Sequence, residues 1–304
     1  MEDYLGLISG VHSRVKNIVL RQNGIKQRFY AVNTKQEMTH TNAELAQLSI
    51  QKLLTEALLP LQELELLACA TASPDQVLPS HASMVHGLLK NAPMEIFSAS
   101  GICLSCVQAF KIAYLSILAG DKRNAVCSCS ELASAGLLSK NFDVEYEKCA
   151  NLGIQPYMAL EKDFLRFMLS DGASAVLLQD NPGKGKALHI EWVEMTSYAN
   201  ELPTCMFMGA EKEKNGELKS WKSFSSQELT DRSLFTVKQD IKLLEKNAVP
   251  YWAKHIKYCL EKHNVAPESI SYVLPHVSSM FFYDKIINEL KGIGIGIDES
   301  KWFT

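Results

Sequence analysis

No apolar run in this 304-residue chain comes near the ~20 residues a membrane span requires. The N-terminus, Met1-Glu2-Asp3-Tyr4, lacks the basic segment and apolar stretch of a secretory leader. Neither charge is in excess: 31 Lys and Arg stand against 34 Asp and Glu, interleaved rather than in blocks, for a formal net charge of -3. Without a field of one sign, neither nucleic acid nor an anionic membrane surface is the expected partner. The reading is a soluble, cytoplasmic protein with no membrane span, whose partners are small molecules or proteins. Eight cysteines would suffice for a disulfide framework in a small secreted domain, but in a chain this long, with several inside apolar segments, reduced thiols are expected. A second C-x-x-C is missing, and so is a dinucleotide-binding G-x-G-x-x-G. The run Lys291-Gly292-Ile293-Gly294-Ile295-Gly296-Ile297-Asp298 follows a predicted helix rather than a strand and reads as a loop.

What is present is a globular composition, 47% hydrophobic, 21% charged and 9% aromatic. At about 150 residues per domain it predicts two halves. Small and apolar residues at Ala43, Ala46, Ile50, Leu53, Leu54 and Ala57 follow a helical period, with Asn42 as N-cap and Pro60 as stop. A strand from Leu64 to Ala70, a turn over Thr71-Ala72-Ser73-Pro74-Asp75 and a helix from Ser80 to Lys90 follow. Glu95 to Ala99 reads as a strand, Ser100-Gly101 as a tight turn, and Cys103 to Ala119 as an almost wholly apolar helix that has to be buried. Strands are predicted over Asn124 to Ser130 and Ala175 to Leu178, the latter led in by Asp171-Gly172-Ala173-Ser174. The segment 180–185, Asp-Asn-Pro-Gly-Lys-Gly, punctuates the chain as a junction. Beyond it come a strand from Ala187 to Val193, a polar surface excursion from Asn200 to Ser233 near the active site or a partner, and a helix from Val237 to Lys262 interrupted at Pro250. A strand over Ile270 to Leu274, a turn at 275–279 and a helix from Phe281 to Lys291 complete the order. Helix, proline, strand, turn and helix recur in both halves, a weak internal repeat that marks a duplicated α/β unit.

Cys103 stands where a strand turns into a helix, a position that brings its sulfur to the positive end of the helix dipole and favours the nucleophilic thiolate. His276 follows a predicted strand, with Pro275 directing the chain, which puts an imidazole at the carboxyl end of the sheet where open α/β folds hold ligands. Cysteine plus histidine makes acyl chemistry possible. Against this, most cysteines are inert core residues and most turn histidines are structural. Cys103-Leu104-Ser105-Cys106 also has the spacing of a redox pair or half a zinc site. His255, Cys259 and His263 share one helical face, yet nothing in the sequence links that face to Cys103. No metal site is assigned. Cys127 and Cys129 point to one face of a strand and read as packing.

Taken in order, these segments resemble the thiolase-like condensing enzymes, and within them the β-ketoacyl-acyl-carrier-protein synthase III group. The likeness runs from Arg21-Gln22-Asn23-Gly24-Ile25-Lys26-Gln27-Arg28, through Ala70-Thr71-Ala72-Ser73-Pro74 and Leu78-Pro79-Ser80, to Phe97-Ser98-Ala99-Ser100-Gly101-Ile102-Cys103. It continues in Ser170-Asp171-Gly172-Ala173-Ser174-Ala175-Val176-Leu177-Leu178 and Leu274-Pro275-His276. The resemblance implies an α/β fold, a thiolase-like duplicated unit layered α-β-α-β-α and truncated at both ends. Residues 1–184 would form the nucleophile half and 185–304 an incomplete histidine half. It implies an acyltransferase that joins acyl thioesters by Claisen condensation through an acyl-cysteine, in fatty-acid or polyketide-like lipid synthesis. Cys103 would be the nucleophile and His276 a donor to the second substrate's carbonyl. Leu78 would limit acyl-chain length from within a homodimer, and Arg21 would bind substrate.

The family's asparagine, expected just beyond Lys301-Trp302-Phe303-Thr304, is not reached. A non-catalytic subunit that binds acyl chains or pairs with an active synthase is the alternative. Asn17 replaces the family's coenzyme A-stacking tryptophan, and Phe281 its carrier-docking arginine. Both changes weaken the likeness to the housekeeping fatty-acid enzyme; the loss of the tryptophan makes acyl carrier protein expected over coenzyme A as thioester carrier, and no cofactor is expected. The segments Ile18 to Lys26 and Thr39 to Leu45 are similar to the dialkylresorcinol and flexirubin-type branch.

Overall fold

The computed structural model describes residues 1–151, 163–181, 183 and 185–303, with backbone alone for 149–151. Cys149's side chain and residues 182, 184 and 304 thus lie outside the described residues. Four strands form one sheet: β1 (Leu66–Thr71), β2 (Glu95–Ser100), β3 (Asn124–Glu131) and β4 (Gly172–Gln179), in the order β2-β1-β3-β4. The first three are parallel and β4 runs antiparallel to β3. β1 is buried at all six positions because it has a strand on each side and helices over both faces. Such two-sided burial explains its unbroken small and apolar composition.

Two short helices, α1 (Glu2–Leu5) and α2 (Lys16–Asn23), precede the sheet. Helix α3 (Asn42–Ala57) and α4 (His81–Leu89) cover one face, packing Ala46, Ile50, Leu54, Val85 and Leu89 onto Leu67, Cys69 and Val126. The N-cap of α3 is Thr41, not Asn42: the Thr41 hydroxyl accepts from Glu44 N while the Glu44 carboxylate accepts from Thr41 N at 2.7 Å. Asn42 is drawn inward instead, donating its amide to Thr71 Oγ1 and to the Ser73 carbonyl. Helix α5 (Ser105–Leu118) covers the other face through Ala109 and Ala113, whose small side chains let it lie close to Ala68, Ala70 and Ala125. Complete burial of α5, expected from its composition, is not found. Ala109 and Ala113 are fully covered by the sheet and Cys106, Phe110, Tyr114 and Ile117 partly so, while Leu104, Val107, Leu115 and Leu118 are exposed.

Asp171, at the entry to β4, fastens the sheet to its flanks. Its carboxylate accepts from Ala31 N at 2.7 Å, Ser134 N at 2.8 Å and the Ser134 hydroxyl.

In the second half, α6 (Ile241–Lys262) runs unbroken through Pro250, correcting the predicted interruption. Proline in a helix interior costs ~3 kcal/mol. Here the helix continues because Val249, Ala253, Ile256 and Leu260 pack against Ile286, Ile287 and Leu290 of α7 (Tyr283–Gly292). The strand predicted over Ala187 to Val193 is absent among the described residues, and that over Ile270 to Leu274 is reduced to a parallel bridge from Val273 to Trp302. Strand-forming composition becomes a strand only where a neighbour satisfies its N–H and C=O groups. The excursion over 200–233 is folded: Ala210–Lys212 pairs with Leu218–Ser220, and a capping box of Ser225 and Glu228 starts the helix Ser226–Asp231. The glycine-rich segment after α7 is a loop that buries Ile295 and Ile297. Among the described residues, no helix is long and apolar enough to cross a membrane.

Asp171→Ala leaves two backbone donors and a hydroxyl unpartnered in a buried region and is expected to destabilise the protein by about 3 kcal/mol. Asp171→Asn, which keeps one acceptor oxygen, should cost less. Urea unfolding monitored by circular dichroism measures both.

Candidate active site

β2 ends at Ser100, level with Thr71 of β1, and the chain turns into α5 through Gly101, Ile102, Cys103 and Leu104. Gly101 has φ +156°, a conformation side-chain-bearing residues avoid, so this turn needs its glycine. Ser105 N donates to the Ile102 carbonyl at 3.0 Å, closing the turn with Cys103 on the outside. Cys103 is exposed, while Cys106, one helical turn on, and Cys129 of β3 are half-buried and Cys127 is buried.

The thiol differs from the expectation of a lowered pKa. Protein crowding around Cys103 disfavours the thiolate and pushes its pKa up from the ordinary 9.0. Its own backbone N–H pulls the other way, but the Glu131 carboxylate and the Cys106 thiol add to the rise. Cys106 is no free redox partner: its thiol is hydrogen-bonded to Cys129, which with burial holds its pKa far up. That bond favours the Cys129 thiolate, yet the bond to Cys127 and burial still push Cys129 up to about 12. Cys127 in turn donates to the Cys106 carbonyl at 3.9 Å. The three thiols pack as a closed group against the Leu66 and Ala125 cluster, in keeping with the packing role expected of Cys127 and Cys129.

Glu131, at the end of β3, is a residue the sequence reading did not single out. Its carboxylate accepts from Ala72 N at 2.7 Å and the Ser73 hydroxyl at 2.6 Å, and burial raises its pKa. It therefore ties β3 to the loop after β1 and also presents a carboxylate to the Cys103 side. Beside it, Ser130 Oγ lies 3.0 Å from Nε2 of buried His81. The only trace of these groups in the sequence is polar residues at predicted strand and helix ends.

His276 is exposed in the loop after Val273. It makes no hydrogen bond, ion pair or ring contact among the described residues, and none joins it to Cys103. Arg21 is exposed in the last turn of α2. That helix is packed by the turn Met280–Phe282, and a Cβ on Gly24 would lie 2.5 Å from Met280 Cγ. The structure thus makes the histidine loop a neighbour of the arginine helix. Leu78 is 80% exposed in the loop between β1 and α4. The His255, Cys259 and His263 face is engaged otherwise: Cys259 Sγ meets His255 Nε2 at 3.5 Å, while His263 bonds Glu194 and stacks on Trp192. Among the described residues, no three potential ligands are grouped to hold a metal.

No family model matches the chain. Over 259 residues, 85% of this chain and 67% of the relative, it is 25% identical to the β-ketoacyl-[acyl-carrier-protein] synthase III of Aliarcobacter butzleri. Over 283 residues, 93% of this chain and 74% of the relative, it is 23% identical to the enzyme of that name from Clostridium perfringens. Among solved structures, cerulenin-bound OleA of Xanthomonas campestris superposes with a TM-score of 0.64 at 18% identity, covering 97% of this chain and 74% of that one. The tetronic acid condensing enzyme AbyA1 superposes at 0.62 with 21% identity, covering 90% and 72%. The fold is that of the thiolase-like condensing enzymes.

Alkylation of Cys103 by iodoacetamide should rise with pH to an inflection above 9.0. Glu131→Gln removes a negative charge and should speed the reaction at pH 8 by about two- to fivefold. Stopped-time mass spectrometry of the Cys103 peptide reads both.

Proposed function

This chain is a relative of the β-ketoacyl-acyl-carrier-protein synthase III group of thiolase-like condensing enzymes, and on that premise we propose that it forms carbon–carbon bonds between acyl thioesters by Claisen condensation. The observation that carries the reading is the Gly101 turn, which holds Cys103, the one exposed thiol among the described residues, at the junction of β2 and α5. In the first step Cys103 Sγ attacks the thioester carbonyl, the carrier thiol leaves with a proton, and the acyl group rests on the cysteine. In the second, another thioester, made a carbanion by loss of its α-proton or of carbon dioxide, attacks the acyl-cysteine carbonyl and releases the Cys103 thiolate, which takes up a proton. His276, on its exposed loop, is assigned to donate to that thioester's carbonyl as its oxygen gains enolate charge. Leu78 is assigned to limit the acyl chain and Arg21 to bind substrate.

The proposed carrier is acyl carrier protein rather than coenzyme A. Asn17 offers no aromatic surface on which an adenine could stack. The proposal includes a cytoplasmic homodimer in fatty-acid or polyketide-like lipid synthesis, with a nucleophile half to residue 184 and a histidine half beyond it. The second reading, a non-catalytic subunit that binds acyl chains, draws on the absence of any hydrogen-bonded base at Cys103 among the described residues.

Incubation with acyl thioesters should add the acyl mass to the intact protein, and Cys103→Ala should abolish the addition. His276→Ala should retain the adduct but lose condensation product by about 100-fold or more. An adduct that persists in Cys103→Ala would refute the nucleophile, and no adduct from the folded wild type would favour the non-catalytic subunit.

A further inference from the structure

The loop 72–80 joins β1 to α4 and carries Val77 and Leu78, which are 83% and 80% exposed. Its first half is fastened at several points. Glu131 holds Ala72 and Ser73, Asn42 holds the Ser73 carbonyl, and Asp75 accepts from Asn42 N at 2.7 Å and Ala43 N at 2.9 Å, capping α3. Residues 76–79 make no hydrogen bond among the described residues. The chain is caught again at Ser80, whose hydroxyl accepts from Ser83 N, at His81, 3% exposed, whose Nε2 lies 3.0 Å from Ser130 Oγ, and at Ala82, whose N donates to Ser98 Oγ at 3.4 Å. Ser130 and Glu131 are consecutive, so one dipeptide at the end of β3 grips both ends of the loop and leaves only its apolar tip free.

His81 is an expensive way to fill this position. Its Nδ1 is buried without a partner, a cost an alanine would not carry. Burial also pushes its pKa down, keeping the ring neutral, so Nε2 and the serine hydroxyl share one hydrogen bond. The benefit has to lie in what that bond holds.

We propose that His81 is a positioning residue for acyl-chain selectivity: through Ser130 it fixes the exit of the loop and so the projection of Val77 and Leu78 that sets which chain lengths reach Cys103. This rests on the proposed acyltransferase reading, in which Leu78 limits the chain.

The test compares wild type, His81→Ala, His81→Gln and Ser130→Ala by two measurements. The first is Cys103 acylation across thioesters from acetyl to palmitoyl, read by intact mass. The second is amide hydrogen exchange at residues 76–80. His81→Ala and Ser130→Ala should each speed that exchange by about tenfold. They should also shift the ratio of long-chain to short-chain acylation by about fivefold or more, while His81→Gln, whose amide can reach Ser130, stays near wild type. Should His81→Ala fail to fold, Ser130→Ala removes the same bond with a smaller change. An unchanged ratio, or an equal loss across all chain lengths, would overturn the selectivity role. Unchanged exchange at 76–80 would overturn the pin itself. A folded wild type that takes no acyl group would defeat the acyltransferase reading and selectivity with it, an outcome told apart by the exchange data.

Discussion

The end of β3 is where this half of the molecule is decided, because a half-buried carboxylate there needs hydrogen bonds in place of the water it has lost. Glu131 gains them from Ala72 N and the Ser73 hydroxyl, and the same hydroxyl accepts from Leu132 N at 2.9 Å. Those donors offset the cost of its partial desolvation. The requirement fixes the loop after β1, which in turn fixes Asn42 against Thr71 and Asp75 against the first turn of α3. Sheet, helix and loop are thereby locked in one register at the end of the sheet where Cys103 emerges.

The fit between sequence and structure is closest where the signals are local. β1, β2, β3 and α4 lie within a few residues of their predicted ranges because apolar runs bounded by turn residues have one reading over such lengths. The displaced N-cap of α3 was itself legible: Thr41 and Glu44 are the spacing of a capping box, whereas Asn42 suits a cap by type alone. What escaped was non-local. The apolar surface of α5 declares a preference for burial without naming what buries it, and the sheet buries fully only Ala109 and Ala113 of its apolar side chains. Residues 187–193 have strand composition but no paired neighbour among the described residues, and Pro250 is overruled by helix packing that no window of sequence contains.

The candidate site divides in the same way. Cys103 and its glycine turn could be read because strand, glycine and helix follow one another directly. Glu131, Ser130 and His81 could not, since each is an ordinary polar residue at the end of a predicted element. Their significance comes from β1 and β3 lying side by side and bringing Ser130 to His81 and Glu131 to Ser73.

The raised Cys103 pKa constrains how such a site can work. Crowding and the facing carboxylate make the resting state a thiol, so attack on a carbonyl has to be coupled to loss of the proton. Glu131 is poorly suited to take it: its two oxygens are committed to Ala72 and Ser73, and releasing either would free the loop it holds. His276 is no substitute: no hydrogen bond joins it to Cys103 among the described residues, and the turn following its loop rests on α2. The groups at the end of β3 therefore keep the loops in place, and on the proposed reading the thiol's proton leaves with the carrier.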